Sequence, residues 1–260
     1  MAAHIGTCKL CLQEKELMQS HIIPEFMYQH VYDDSPKRFY TIKVDLDDET
    51  KNVKKIEQKG IRERLLCTDC EGILSKSEHY AAKTLYAKKG ATVEMIEQSR
   101  TSDKKYTLHK FVGFQYKEFK NFLNSILWRL LVTDEVPTFD GIDATKERLR
   151  VAVLNEDPLD YDDFGCLIQV IRLNPEEMAS KFIMQAELMQ TPKGIMVDKL
   201  VDGLMYSFYI NSKDIDEKAK RMLLQTDGTL YTLGRLLPDD KNLYDKVIGV
   251  YKYFASVEKK

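Results

Sequence analysis

The sequence predicts an α+β protein: a small cysteine-centred module followed by helices packed on a mainly antiparallel sheet. Three observations predict it. Two Cys-x-x-Cys pairs, Cys8/Cys11 and Cys67/Cys70, lie in the first third of the 260 residues. An unbroken helical stripe runs from Tyr116 to Val132. Beyond Phe164 the period changes, and short runs of β-branched and aromatic residues alternate with turn signals.

The cysteine pairs come first. Lys9-Leu10 and Thr68-Asp69 are the two-residue spacers that let both sulfurs of a knuckle face one ion. Two knuckles complete a tetrahedral site in which deprotonated sulfurs hold Zn²⁺ at about 2.3 Å. Two unrelated redox or structural pairs are the alternative, but four of the five cysteines fall into the motif. The fifth, Cys166, sits in the apolar run Phe164-Gly165-Cys166-Leu167-Ile168 and reads as a small buried hydrophobe.

Between the knuckles, Ile22-Ile23-Pro24-Glu25-Phe26-Met27-Tyr28 carries a proline suited to a first helical turn. Phe39 to Val44 alternates like a strand, and Asp45 to Glu49 reads as an exposed acidic loop. After the second knuckle, Ile73, Leu74, Tyr80, Ala81, Leu85 and Tyr86 predict a helix from Glu71 to Lys88, closed by Gly90. The polar stretch Gln98 to Lys105 divides a module of residues 1–97 from a domain of residues 106–260.

In the second part, Phe119, Phe122, Leu123, Ile126, Leu127, Leu130 and Leu131 follow helical spacing without a break, with Trp128 and Arg129 beside the stripe. A second helix is expected over Ala144 to Leu154. Strands are expected over Cys166–Leu173, Lys181–Met189, Gly194–Val201, Leu204–Ile210 and Thr229–Leu236, with a last helix over Tyr244–Val257.

Composition narrows the function. Hydrophobic residues make up 43 % of the chain, enough for a packed core. With 39 basic and 41 acidic residues, bulk charge does not drive binding to nucleic acid. A local basic groove remains open: Lys51, Lys54, Lys55, Lys59, Arg62 and Arg64 form either a phosphate-contact surface or a solvated loop. No stretch of about 18 apolar residues predicts a membrane span. Met1 to Thr7 lacks a signal-peptide pattern, which with a thiol–zinc site sets the expectation of a reducing cytoplasm. There is no glycine-rich phosphate loop and no Gly-x-Ser-x-Gly elbow. The acidic run Asp157 to Asp163 misses the calcium-loop spacing and reads as a solvated loop. His4, His30 and His109 have no partners at suitable spacing.

The residues around the knuckles carry a further pattern. Ser20-His21-Ile22-Ile23-Pro24 follows the first pair, Glu63-Arg64-Leu65-Leu66 precedes Cys67, and Glu71 follows Cys70. This order resembles the zinc-stabilised HNH endonucleases, the His-Me finger or ββα-metal nucleases, over Cys8 to about Tyr86. Leu65 to Glu71 with Ser75 and Glu78-His79-Tyr80-Ala81, and the Leu127-Trp128-Arg129 helix, look like a divergent bacterial subgroup and its partner domain.

The resemblance implies a treble clef: a knuckle, a hairpin bearing the histidine, and a helix seeded by the second knuckle. It implies hydrolysis of phosphodiester bonds in nucleic acid, DNA more than RNA, and an antiviral-defence or mobile-element setting. A histidine removes a proton from water while one Mg²⁺ or Mn²⁺ neutralises the scissile phosphate. The zinc is structural.

Carried over residue by residue, His21 takes the place of the general base; the alternative is a histidine hydrogen-bonded inside the hairpin. Ser20 stands where the family has a metal-binding aspartate or histidine, and Arg62 where it has asparagine. Glu71 stands where the family has its last histidine. Glu71 is either a ligand of the hard cation or a carboxylate serving the helix N-terminus, and Glu78 shares its face.

Two readings stay open. One is a metal-dependent endonuclease; the other is a catalytically degraded treble clef that binds nucleic acid or a protein partner, or awaits an activator. A third places the function in the C-terminal half, as a sensor of a ligand or subunit.

Overall fold

The structure, a computed structural model, describes residues 3–32, 39–43, 53–57, 60–86, 92–101, 105–134, 141–192, 194–210, 215–239, 241 and 243–245. The acidic loop expected at 45–49, Gly90, and most of the helix expected from Tyr244 lie outside these residues.

The N-terminal part holds β1 (Ile5–Thr7), β2 (Glu14–His21), β3 (Phe39–Lys43), β4 (Val53–Glu57), β5 (Arg62–Cys67) and α1 (Thr68–Leu85). Strands β1, β2 and β5 form a three-stranded antiparallel sheet, and β3 pairs with β4 as a separate hairpin. A 3₁₀ turn, Glu25–Tyr28, follows Pro24. Gly60 approaches the Tyr28 ring so closely that a Cβ there would stand 2.5 Å from a ring carbon. α1 starts three residues earlier than the apolar pattern indicated. Cys67, extended, is its N-cap, so Cys70 lies within the first turn.

The larger sheet contains β6 (Glu94–Arg100), β7 (Tyr106–Val112), β8 (Cys166–Arg172), β9 (Glu187–Thr191), β10 (Gly194–Val201), β11 (Leu204–Tyr209) and β12 (Leu230–Leu236). Their order is β6-β7-β12-β8-β11-β10-β9. Every pair is antiparallel except β12 with β8. The mixed α+β fold with a mainly antiparallel sheet is therefore the one expected. The polar stretch that divided the sequence carries the end of β6, and the sheet already begins at Glu94.

Residues 181–186 differ from expectation. Ile183 makes only an isolated bridge to Val201, and β9 begins at Glu187. Phe182 and Met184 pack instead on Leu200, Met205 and Leu237 on the outer face of the sheet.

Helix α2 (Tyr116–Val132) has the predicted bounds, and α3 (Asp143–Leu154) follows it. Its apolar stripe is buried because it is covered on two sides. α1 and α3 pack against it, and one apolar cluster runs from Leu10, Ile23 and Leu65 through Phe122 and Leu127 to Ile168, Tyr206 and Phe208. Trp128 and Arg129, expected beside the stripe, lie inside this core at 0 % and 2 % exposure. Cys166 is buried as expected, and burial pushes its thiol pKa well up.

The acidic run expected to be solvated is held by α2. Tyr116 Oη donates to the Leu159 carbonyl (2.7 Å), Asn121 to that of Glu156 (3.0 Å) and Asn124 to that of Pro158 (3.2 Å). The buried Lys120 ammonium donates to the carbonyls of Asp163 and Phe164. These bonds offset a strained backbone, since Glu156, Leu159 and Phe164 adopt positive φ of 53°, 60° and 48° without being glycine. The polar positions 116, 120 and 124 form a fourth-residue row along α2, opposite in character to its apolar stripe.

Burial lowers the Lys120 pKa from 10.5 to about 8. Between these pH values the unfolded chain holds a proton that the folded chain does not, so stability rises with pH across this window. Wild type should therefore gain on the order of 3 kcal/mol over Lys120→Met between about pH 8 and pH 10.5. Urea unfolding of both proteins across that range checks it; a constant difference would remove Lys120 as a buried charge.

Candidate functional site

The first knuckle is a tight turn after β1. Cys8 N–H donates to the Gln13 carbonyl (2.9 Å), Leu12 N–H to the Cys8 carbonyl (2.8 Å), and Leu12 adopts a φ of 60°. Lys9 N–H reaches the Leu65 carbonyl of β5 (3.0 Å), fastening one knuckle beside the other. Cys67 ends β5 and its N–H points at Cys8 Sγ (3.4 Å), while Cys11 Sγ lies 4.0 Å from Cys67 Sγ.

All four sulfurs fall within 4.8 Å of one another. A zinc tetrahedron with bonds of about 2.3 Å has sulfur–sulfur edges of about 3.8 Å, so the four residues fit such an ion. Cys8, Cys67 and Cys70 are buried, the closed form of a structural site. Burial, then hydrogen bonds from the Cys70 thiol to Cys67 and Cys8, push the Cys70 pKa well up, as expected of crowded sulfurs whose ionised form needs a cation. Lys15, paired with Asp69 at 2.8 Å, and Arg150, bonded to the Leu10 carbonyl, bring positive charge towards the sulfurs.

His21 stands at the far end of β2, opposite Arg62 of β5. Its imidazole is about a quarter exposed. Arg62 Nε donates to Nε2 (2.9 Å), and Glu25 Oε2 lies 2.8 Å from the same nitrogen. Tyr32 Oη donates to the other oxygen of Glu25 (2.9 Å). Burial first and Arg62 second lower the His21 pKa, with Glu25 opposing them. The shift favours the neutral ring, whose Nε2 accepts from Arg62, whereas the protonated ring donates from Nε2 to Glu25.

Below the ring, Arg129 Nη1 donates to the His21 carbonyl (2.9 Å) and pairs with Glu78 Oε1 (2.8 Å). Ser20 faces inward at 1 % exposure, and its Oγ accepts the Leu66 N–H (3.1 Å) beside the β2 bulge. That bond gives Ser20 a structural task. Glu71 stands in the first turn of α1 with Oε1 buried and without a hydrogen-bond partner. Among the described residues the four cysteines are the one group of three or more His, Cys, Asp or Glu close enough to share an ion. Glu78, which shares the Glu71 face, is committed to Arg129.

The structure thus joins His21 to Arg62, Glu25, Glu78 and Arg129. The sequence places Glu25 in the run after Pro24 and Arg129 beside the stripe of α2, and assigns neither a role at the site. Glu25 was legible as the residue four after His21 behind a proline, and Arg129 as a charge within an apolar helix. His30 also has a partner, contrary to expectation. Its Nδ1 lies 2.9 Å from Asp202 Oδ1, and Tyr86 Oη donates to Oδ2. Asp202 and Gly203, at φ 53° and 72°, form the two-residue turn between β10 and β11, and its tip docks against the N-terminal part. Nothing near residue 30 in the sequence points to residue 202.

Compared with protein families, curated proteins and solved structures, the chain matches none. Among the described residues no helix is long and apolar enough to cross a membrane.

The cysteine cluster predicts one zinc per chain by elemental analysis. Cys67→Ser should lose that zinc and unfold β5 and the start of α1, since structural zinc is worth roughly 10–16 kcal/mol in isolated finger peptides. A Cys67→Ser protein with unchanged thermal stability would refute the site.

Proposed function

We propose that the N-terminal module is an HNH-like, zinc-stabilised phosphodiesterase that cuts nucleic acid, DNA more than RNA, with His21 as general base. One observation carries the reading: a partly exposed imidazole at the end of β2, with Arg62 on its Nε2 and Arg129 on its carbonyl, in a module that also holds a four-cysteine cluster. A neutral imidazole accepts a proton from water, and Arg62 at the mouth suits a phosphate oxygen. The zinc, held by Cys8, Cys11, Cys67 and Cys70, takes no part in the chemistry and stands in for a core that three short strands lack. A hard cation, Mg²⁺ or Mn²⁺, supplies charge neutralisation at the scissile phosphate when bound. Glu71, with its unpartnered oxygen, is the candidate ligand. A thiol–zinc site suits a reducing cytoplasm.

A second reading is favoured by a different observation. Arg62 already donates to His21 Nε2, and Ser20 is spent on Leu66. A module so arranged binds nucleic acid or a protein partner without cutting it.

The two readings separate in one experiment. Supercoiled plasmid, single-stranded DNA and RNA are incubated with Mg²⁺ or Mn²⁺ and either wild type or His21→Ala. The nuclease reading expects cleavage that falls at least about 100-fold in the variant with zinc content unchanged. Because the base acts when deprotonated and its pKa lies below 6.5, the rate should rise with pH to that point and then level. Retained binding without cutting by wild type would give the site to the second reading.

A further inference from the structure

The most buried charge of the His21 cluster comes from outside the zinc module. Arg129 lies in the last turn of α2, 2 % exposed and next to the fully buried Trp128. A guanidinium in such a core is costly unless its donors are satisfied. Here Nε donates to the Ser125 carbonyl (3.2 Å) and Nη2 to Ser125 Oγ (3.3 Å). Nη1 reaches the His21 carbonyl (2.9 Å) and Glu78 Oε1 (2.8 Å).

Holding α2 against α1 does not require this, because the apolar stripe already does so. What the guanidinium adds is a bridge between the end of β2 and the middle of α1, the two walls of the cluster. A lysine, one point charge on a flexible stem, cannot make the same fork.

We infer that Arg129 is a positioning residue of the His21 site: by holding the His21 main chain and neutralising Glu78, α2 completes a site that the zinc module alone does not carry. The inference rests on the reading of His21 as the functional group. It does not require that the function be cleavage.

The groups facing His21 are Arg62 from β5, Glu25 from the 3₁₀ turn and Glu78 from α1, with Arg129 behind. The test uses the full-length, zinc-loaded chain and follows the His21 imidazole by nitrogen-15 NMR in wild type, Arg129→Gln and Glu78→Gln. Wild type should show one tautomer, protonated at Nδ1, because Nε2 accepts from Arg62. Arg129→Gln, still holding one zinc, should show a mixture of tautomers. Its titration midpoint should rise by about half a pH unit, because Glu78 is left uncompensated. A single tautomer and an unmoved midpoint in that folded variant would overturn the inference.

Should Arg129→Gln fail to fold, Glu78→Gln decides. It leaves the guanidinium on the His21 carbonyl with its charge uncompensated, so the midpoint should fall. An unchanged midpoint rejects the coupling. A chain that shows these shifts yet cuts no nucleic acid keeps Arg129 as a positioning residue and rejects the nuclease.

Discussion

Cys8 and Cys11 belong to a turn after the first strand, Cys67 and Cys70 to the junction of a strand and a helix, and their sulfurs meet within 4.8 Å. Bringing such distant segments together is entropically costly. Strands β1, β2 and β5 share their apolar core with α1 and α2 and do not close one of their own. The sulfur cluster fixes where β5 ends and where α1 starts, because Cys67 is both the last residue of the strand and the cap of the helix. The pairing of β2 with β5 then sets Ser20 against Glu63 and His21 against Arg62. The contact of His21 with Arg62 descends from that register.

Helix α2 is the second organising element, and it works through polar side chains as much as apolar ones. Its stripe of leucine, isoleucine and phenylalanine joins the cysteine module to the larger sheet. Lys120 and Arg129, buried at opposite ends, each satisfy backbone carbonyls that a purely apolar helix would leave without donors. One holds the strained segment after α3; the other holds His21. The C-terminal half is thus an integral wall of the N-terminal site.

The elements legible in the sequence were those whose cause is local. Cysteine spacing predicted the cluster because the knuckle geometry is set by two residues, and the period of α2 predicted its bounds because both sides of the helix are covered. Strand β10 was bounded correctly for a related reason, since it lies between two partners. Strand β6 escaped notice because it is an edge strand with almost every side chain exposed, so no alternation survives. The start of α1 was placed too late because apolar spacing begins at Ile73, whereas the cap is a cysteine chosen for its sulfur. The companions of His21 and His30 escaped for a different reason. Arg129 and Asp202 reach them across more than a hundred residues, and only the assembled core brings them close.

The position of β12 has a consequence for how the chain comes to be folded in the cell. Its residues, 230–236, insert between β7 and β8 and supply the one parallel pair in the sheet. Until that stretch has left the ribosome, the β6–β7 hairpin and the β8–β11 strands have no common neighbour. The cysteine module emerges before the sheet, and its four sulfurs can meet before the sheet is complete. The sheet against which α2 must rest is completed only once β12 has been made, through contacts of large sequence separation that form slowly. In the interval the apolar stripe of α2 has only one of its two surfaces to rest on, and its other side is open to association with other chains.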